Sequence, residues 1–328
     1  MKRYTPLIYI TILEALIGIW VKLAGNSIPI FTINFYRALF ALLSIFLVFI
    51  LINRKGLKLK KVDIIPSIII GFLIACQISL FNIAMNLTSV ANVVIFWSTY
   101  PFFVFILSAL FLDEKVRRTH IFIFILGIIG IVIAEPLKGD QGSMVGNVIS
   151  LFGGFVFASL VTYIRKEEST ESSGGSFWFF FFATIFLTPM IFIFGIGDSF
   201  KILEQNILGL SFQAPPIMWI IGLGVLSTGI VYILMSLALR KINANVYSLV
   251  DIIVSPMAAT IFAIIILKEY PHKNMIYGGA ILLLSAFWLT TDLSKGNISQ
   301  LQNYQRYFDK FRRNFLKEFN GFLKIMVP

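Results

Sequence analysis

The chain is predicted to be an all-α membrane protein: ten transmembrane helices in two inverted five-helix repeats, followed by a C-terminal amphipathic helix. Three observations predict it. Of 328 residues, 58% are hydrophobic, 34 are phenylalanine and only 13% are charged, and the apolar runs repeatedly approach the ~20 residues that cross a bilayer. Residues Thr88 to Ala134 align without a gap with Asn243 to Leu289, 155 positions later, which matches Pro101 and Glu114 to Pro256 and Glu269. Basic residues gather in alternate connecting segments. So little polar chain remains that no water-facing core of ordinary size is expected.

The spans are placed at Leu7 to Ala24, Ile28 to Ile52, Ile64 to Met85, Val90 to Leu112 and Thr119 to Leu137, then Val145 to Ile164, Phe177 to Ile196, Ile217 to Leu239, Val246 to Leu267 and Met275 to Leu293. Lys2 and Arg3 precede the first span as they would a signal peptide. The span is long, contains Glu14 and lacks a small-residue cleavage site, so it is expected to stay. The predicted units are 1–137 (first repeat), 138–144 (outer connecting loop), 145–293 (second repeat) and 294–328 (cytoplasmic basic tail). Glu167 to Ser176 reads as an inner loop, and the longest outer loop, Gly197 to Pro215, as a segment on the membrane surface. Cys76, the only cysteine, falls within a span and reads as a small packing residue, so no disulfide framework exists.

With the N-terminus in the cytoplasm, the inner segments carry 21 of the 27 lysines and arginines and the outer segments four, Lys138, Lys201, Lys268 and Lys273. Lys22 and Arg37 fall within spans. The bias predicts two cytoplasmic termini in the cell membrane. It also accounts for the net charge of +11 through topology and anionic lipid headgroups, without nucleic acid. Five spans per half is an odd number, so a second half homologous to the first must insert upside down. Duplication alone can leave a repeat in any membrane protein, but inverted halves are the usual architecture of secondary transporters.

These residues resemble the drug/metabolite transporter superfamily, specifically its EamA-like ten-helix transporters. The matching features are Lys22, Arg37, the Thr88, Ser89 and Pro101 pattern running to Leu112, Asp113 and Glu114, and Asn243, Pro256, Leu267, Lys268 and Glu269 at the same spacings. Arg165 and Lys166 close the sixth span as Lys22 closes the first. The resemblance covers Pro6 to Thr291. It implies a central cavity, alternating access and a small organic metabolite as cargo: an amino acid, a nucleoside or a drug-like cation, with export the expected direction. Where many relatives have tryptophan before glycine, this chain has Glu14 and Ala15. That stretch is similar to the first helix of the small multidrug resistance transporters, whose glutamate is where protons and cationic substrates compete.

A charge at a helix centre costs about 2.5–3.5 kcal/mol on the insertion scale, so each one within a span needs a reason. Glu14, Lys22, Arg37 and Asp251 are the four. At ~1.5 Å per residue, Glu14, Arg37 and Asp251 can approach one another in depth. Arg37 then either pairs with Glu14 or Asp251, bonds carbonyls at a helix end, or meets substrate. Glu14 is expected to line the cavity and couple protons to binding, Asp251 to contact substrate or pair structurally, and Lys22 to snorkel to the outer surface. Gln77, Asn82 and Trp97 are the preferred cavity-lining set, with packing as the alternative for each.

Pro101 and Pro256 are expected to interrupt their helices at matching places and act as hinges. Glu114 and Glu269, just beyond their spans, are expected to cap helices or form gates. In the tail, Phe308, Phe311, Phe315, Phe319 and Phe322 share one face of a basic helix, which reads as a membrane-surface element or a partner-binding helix. His120 and His272 are isolated, and no metal-ligand cluster, phosphate loop or nucleophile arrangement is present, so no enzyme activity, metal or cofactor is expected. The expected partners are a small solute, protons and anionic lipid, with the chain as a monomer or weak dimer. A non-transporting scaffold or sensor using the tail is the alternative.

Overall fold

A computed structural model of the protein describes residues 5–25, 28–52, 64–111, 118–134, 141–166, 175–207, 210–238 and 244–296. The predicted tail face at Phe308, Phe311, Phe315, Phe319 and Phe322 lies outside the described residues, as does Glu114. Asp251 is described only through its backbone on a helix.

The first half runs α1 (Thr5–Ala15), α2 (Ile17–Ala24), α3 (Ile30–Ile52), α4 (Ile64–Leu87), α5 (Val90–Trp97), α6 (Tyr100–Phe111) and α7 (Arg118–Ala134). The second half begins with α8 (Gln141–Lys166) and α9 (Gly175–Phe194). After the strands β1 (Leu203–Ile207) and β2 (Leu210–Ala214) come α10 (Ile217–Ile221), a π-helical segment (Gly222–Ile230) and α11 (Val231–Ala238). The chain continues through α12 (Ala244–Phe262), a second π segment (Ala263–Leu267) and α13 (Lys273–Gly296). Among the described residues, eight helical stretches are long and apolar enough to cross a membrane, with α1 and α2 forming one of them and α5 and α6 another. Shorter apolar helices, Arg118–Ala134 and Ile252–Leu267, occupy the predicted fifth and ninth positions.

Helix contacts follow a pattern in the order of the spans. The second span packs on the eighth and the third on the seventh; the third packs on the sixth and the first on the eighth; the fourth packs on the sixth and the first on the ninth. The second also meets the seventh, the fourth the ninth, and the fifth the tenth. Exchanging each span with the one five places away turns these pairings into one another. The contacts of the third span with the first, second and fourth, and of the tenth with the fourth and ninth, have no such counterpart among the main contacts of the described residues.

Small residues make the closest pairings possible, because two helices in lipid gain most from backbones that approach. A Cβ on Gly278 of α13 would stand 2.5 Å from the Gly130 carbonyl of α7 and closer still to the Ala134 nitrogen. A Cβ on Gly130 would stand 2.8 Å from the Leu282 nitrogen. At the seventh span, Gly195 ends α9 with φ of 71°, a conformation that favours glycine, and its nitrogen bonds the Ile191 carbonyl at 2.8 Å.

Three elements depart from the sequence reading. The segment after α9 contains a β-hairpin, with Leu203 opposite Ala214 and Ile207 opposite Leu210, where only a surface loop was expected. The fourth span breaks at Ser98 and Thr99, and Pro101 falls in the first turn of α6, where proline is tolerated. Pro256, by contrast, lies inside α12, which continues through it. The expectation that both prolines interrupt their helices holds for the first copy only. Hydroxyls satisfy carbonyls at the first break, with Ser98 Oγ bonding Val94 O and Thr99 Oγ1 bonding Phe96 O, each at 2.7 Å.

Gly278→Val should force α7 and α13 apart and cost about 3 kcal/mol, the upper part of the usual overpacking range. Thermal unfolding in detergent checks this. Gly222→Ala, whose added Cβ would meet Trp20 at an ordinary 3.4 Å, is the control expected to leave the midpoint unchanged.

Candidate functional site

Arg37 lies seven residues into α3, about 10 Å from its start, and is only 6% exposed. Its Nε donates to Thr228 Oγ1 at 3.1 Å and its Nη1 to Asn82 Oδ1 at 3.2 Å. Both acceptors are neutral, and both are held in an accepting orientation. Thr228 gives its own hydroxyl proton to the Leu223 carbonyl, five residues back, at 2.8 Å. Asn82 Nδ2 donates to Asn34 Oδ1 at 2.7 Å, Asn34 Nδ2 to Ser79 Oγ at 3.2 Å, and Ser79 Oγ to the Ala75 carbonyl at 2.8 Å. The network ties α3 to α4 and to the first π segment. Nearby, Trp20 Nε1 donates to Ser227 Oγ at 2.9 Å.

Among the described residues the hydrogen-bond partners of Arg37 are two neutral side chains, not Glu14 and not carbonyls at a helix end. Tyr232, one turn beyond Thr228, carries the connection to Glu14, because it lies within electrostatic reach of both charges. Its ring packs edge-on against Phe180 at 5.0 Å. Glu14, about 15 Å below the end of α2, is half-buried and accepts from Ser255 Oγ of α12 at 3.2 Å. Arg37 thus bonds to one residue of each half, and Glu14 of the first half to Ser255 of the second.

The other expected site residues are placed in different ways. Asn82 is fully enclosed and accepts from Arg37. Trp97 is half-buried at the end of α5, with Phe81 at 5.1 Å and Phe157 at 5.6 Å, and its ring lies over Gly153. Gln77 is half-buried on α4. Asn34, Ser79, Thr228 and Ser255 were missed by the sequence reading. Their spacing offered a signal for two of them: Asn34 is three residues before Arg37, and Ser255 directly precedes Pro256.

At the end of the bundle where α2 stops, Lys22 Nζ lies 3.3 Å from Glu269 Oε1 and donates to the Thr88 carbonyl at 2.9 Å. Glu269 Oε2 accepts from the Val90 backbone N–H at 2.9 Å, which places a carboxylate at the N-terminus of α5. Ser89 caps the same helix by accepting from the Asn92 nitrogen at 3.3 Å. Glu269 therefore caps a helix, though one in the other half of the chain. Lys22 was expected to snorkel outward and instead closes an ion pair about three-quarters buried on each side.

Residues 5–134 and 144–291 match the family model of the EamA-like transporter family. The chain belongs to that family. Its members are membrane transporters of small solutes within the drug/metabolite transporter superfamily, so the protein is an integral, multi-pass membrane protein of that kind. No curated protein matches the sequence. A solved structure described as "Crystal structure of protein" resembles the fold with a TM-score of 0.59 at 12% identity, over 90% of this chain and 99% of its own.

Asn82→Leu should lower stability by about 3 kcal/mol, because it leaves donors of Arg37 and an acceptor of Asn34 unsatisfied inside the bundle. Asn82→Ser, which can still accept from Arg37, should recover part of the loss. Unfolding midpoints of the purified EamA-like chain in detergent give both values.

Proposed function

We propose that this EamA-like protein is a secondary transporter that moves a small organic solute across the cell membrane by alternating access between two inverted five-helix halves. The observation that carries the reading is a buried Arg37 bonded to Asn82 of the first half and Thr228 of the second, with Glu14 accepting from Ser255 of the second half. Polar groups within spans need partners, and a site between repeats is where transporters bind their cargo. The helix pairings that map onto one another and the matched Pro101 and Pro256 support the inverted arrangement. Two five-span halves with both termini in the cytoplasm follow from the charge bias, which makes the Lys22 end the outer one. Export is the direction assigned.

In this reading Lys22, Glu269 and the α4–α5 turn form the closed outer gate, and Glu14 carries the proton that couples the gradient to solute binding. Gln77, Trp97 and Asp251 are assigned to the solute path, and Pro101 and Pro256 to the bending of their spans. Protons and anionic lipid are the assigned partners of the chain, which acts as a monomer or weak dimer.

Glu14→Gln removes the titrating group while keeping a partner for Ser255. It should abolish flux driven by a pH gradient in proteoliposomes while solute exchange without a gradient persists; undiminished proton dependence would reject the coupling role.

The gate has its own test. In a chain with Cys76→Ser, the pair Lys22→Cys and Glu269→Cys should be bridged by a short bifunctional thiol reagent, and bridging should cut flux at least about tenfold if the end must open. Unimpaired flux in the bridged protein would show that this end does not open.

A further inference from the structure

We propose that the free edge of the Arg37 guanidinium is a carboxylate-binding site, so that the solute carried is an organic acid or a zwitterion with an exposed carboxylate. The proposal rests on the transport reading above and narrows its cargo to one chemical class. A guanidinium presents five N–H donors. Thr228 and Asn82 take one each, through Nε and Nη1, which leaves both N–H groups of Nη2 and one of Nη1. Nη2 makes no hydrogen bond with the described residues and is not one of their sealed, unpartnered side-chain atoms, although Arg37 as a whole is only 6% exposed. The unused donors on Nη1 and Nη2 can give charge-assisted hydrogen bonds to a carboxylate.

Charge leads to the same class. A cation taken out of water is retained at a cost of several kcal/mol unless a counter-charge meets it. Here the acceptors are an amide and a hydroxyl, and no carboxylate of a described residue touches Arg37. Holding Nε and Nη1 on two different helices fixes the plane of the fork before any ligand arrives. That is the arrangement expected of a preorganised anion site.

The test uses the full chain in proteoliposomes, with counterflow of labelled phenylalanine, leucine and succinate set against phenylalaninamide, leucinamide and succinamide. Protein-free vesicles supply the leak rate. The acids should be preferred over their amides by about ten- to a hundredfold, the range expected for hydrogen bonds to a charged group. Arg37→Gln should erase that preference, and Arg37→Lys, which keeps the charge without the fork, should retain only part of it. Gel filtration and thermal unfolding check that each variant is folded, while the acid-to-amide comparison on the unmodified chain needs no variant. Flux of the amides equal to or above that of the acids overturns the carboxylate site and leaves the transport reading standing, as does an acid preference that survives in folded Arg37→Gln. Flux of no probe above the leak rate removes both.

Discussion

A guanidinium buried among membrane helices has to be held by groups that can accept its protons, and much of the helix arrangement follows from meeting that demand at Arg37. Its two acceptors lie on different helices, so the first half and the eighth span are joined through one side chain. The backbone around it is drawn in to match. A Cβ on Gly224 would stand 2.9 Å from the Arg37 carbonyl, so only glycine lets the π segment come this close to α3. The wide turn of that segment also explains why Thr228 can serve. Its hydroxyl donates five residues back rather than four, which leaves the oxygen lone pairs turned toward Arg37. π-helical turns often occur at functional sites, and here the turn has an identifiable structural task.

The two halves share many of the pairings between their spans, yet not the chemistry of those pairings. Glu14 and Ser255 correspond by position to Phe157 and Tyr100. The structure pairs both sets: Ser255 donates to Glu14 at 3.2 Å, and Tyr100 meets Phe157 edge-on at 5.0 Å. The same contact between corresponding spans is polar on one side of the bundle and aromatic on the other. A second carboxylate at the corresponding place would add like charge to the bundle, and rings fill that place while keeping the packing volume.

How much of this was legible in the sequence depends on the range of the interaction concerned. Spans could be placed because apolar run length is a local property, and the repeat because identical spacings survive in the chain. Arg37 and Glu14 stood out because charges are scarce in hydrocarbon. Their partners did not, since Thr228, Asn82 and Asn34 become acceptors only when three helices meet. Lys22 was misread for the same reason: its counter-ion is 247 positions away. The matched prolines show the limit from the other side. Ser98 and Thr99 return protons to the carbonyls of α5 at 2.7 Å, so the chain can break before Pro101. Thr260 offers one such bond after Pro256, to the proline's own carbonyl at 2.9 Å, and the irregularity appears further on, in the π segment and at Lys268 with φ of 60°. A proline marks where a helix can yield, while its neighbours decide where it does.

The Lys22 to Glu269 pair also has the energetics that the proposed gate requires. An ion pair with about a quarter of each side chain exposed is worth roughly 1 kcal/mol at most. Its strength comes from being shared: the carboxylate also serves the Val90 N–H, and the ammonium the Thr88 carbonyl. When such a cluster opens, each group is already near water, so the unpaired charges are rehydrated rather than stranded. The closed state is then favoured by only a few-fold, and a solute that binds slightly better to the open form can reverse the balance. Arg37, 6% exposed and fixed on two helices, has the opposite character. A transporter needs both kinds of charge, one that yields with each cycle and one that keeps its place while the cargo comes and goes.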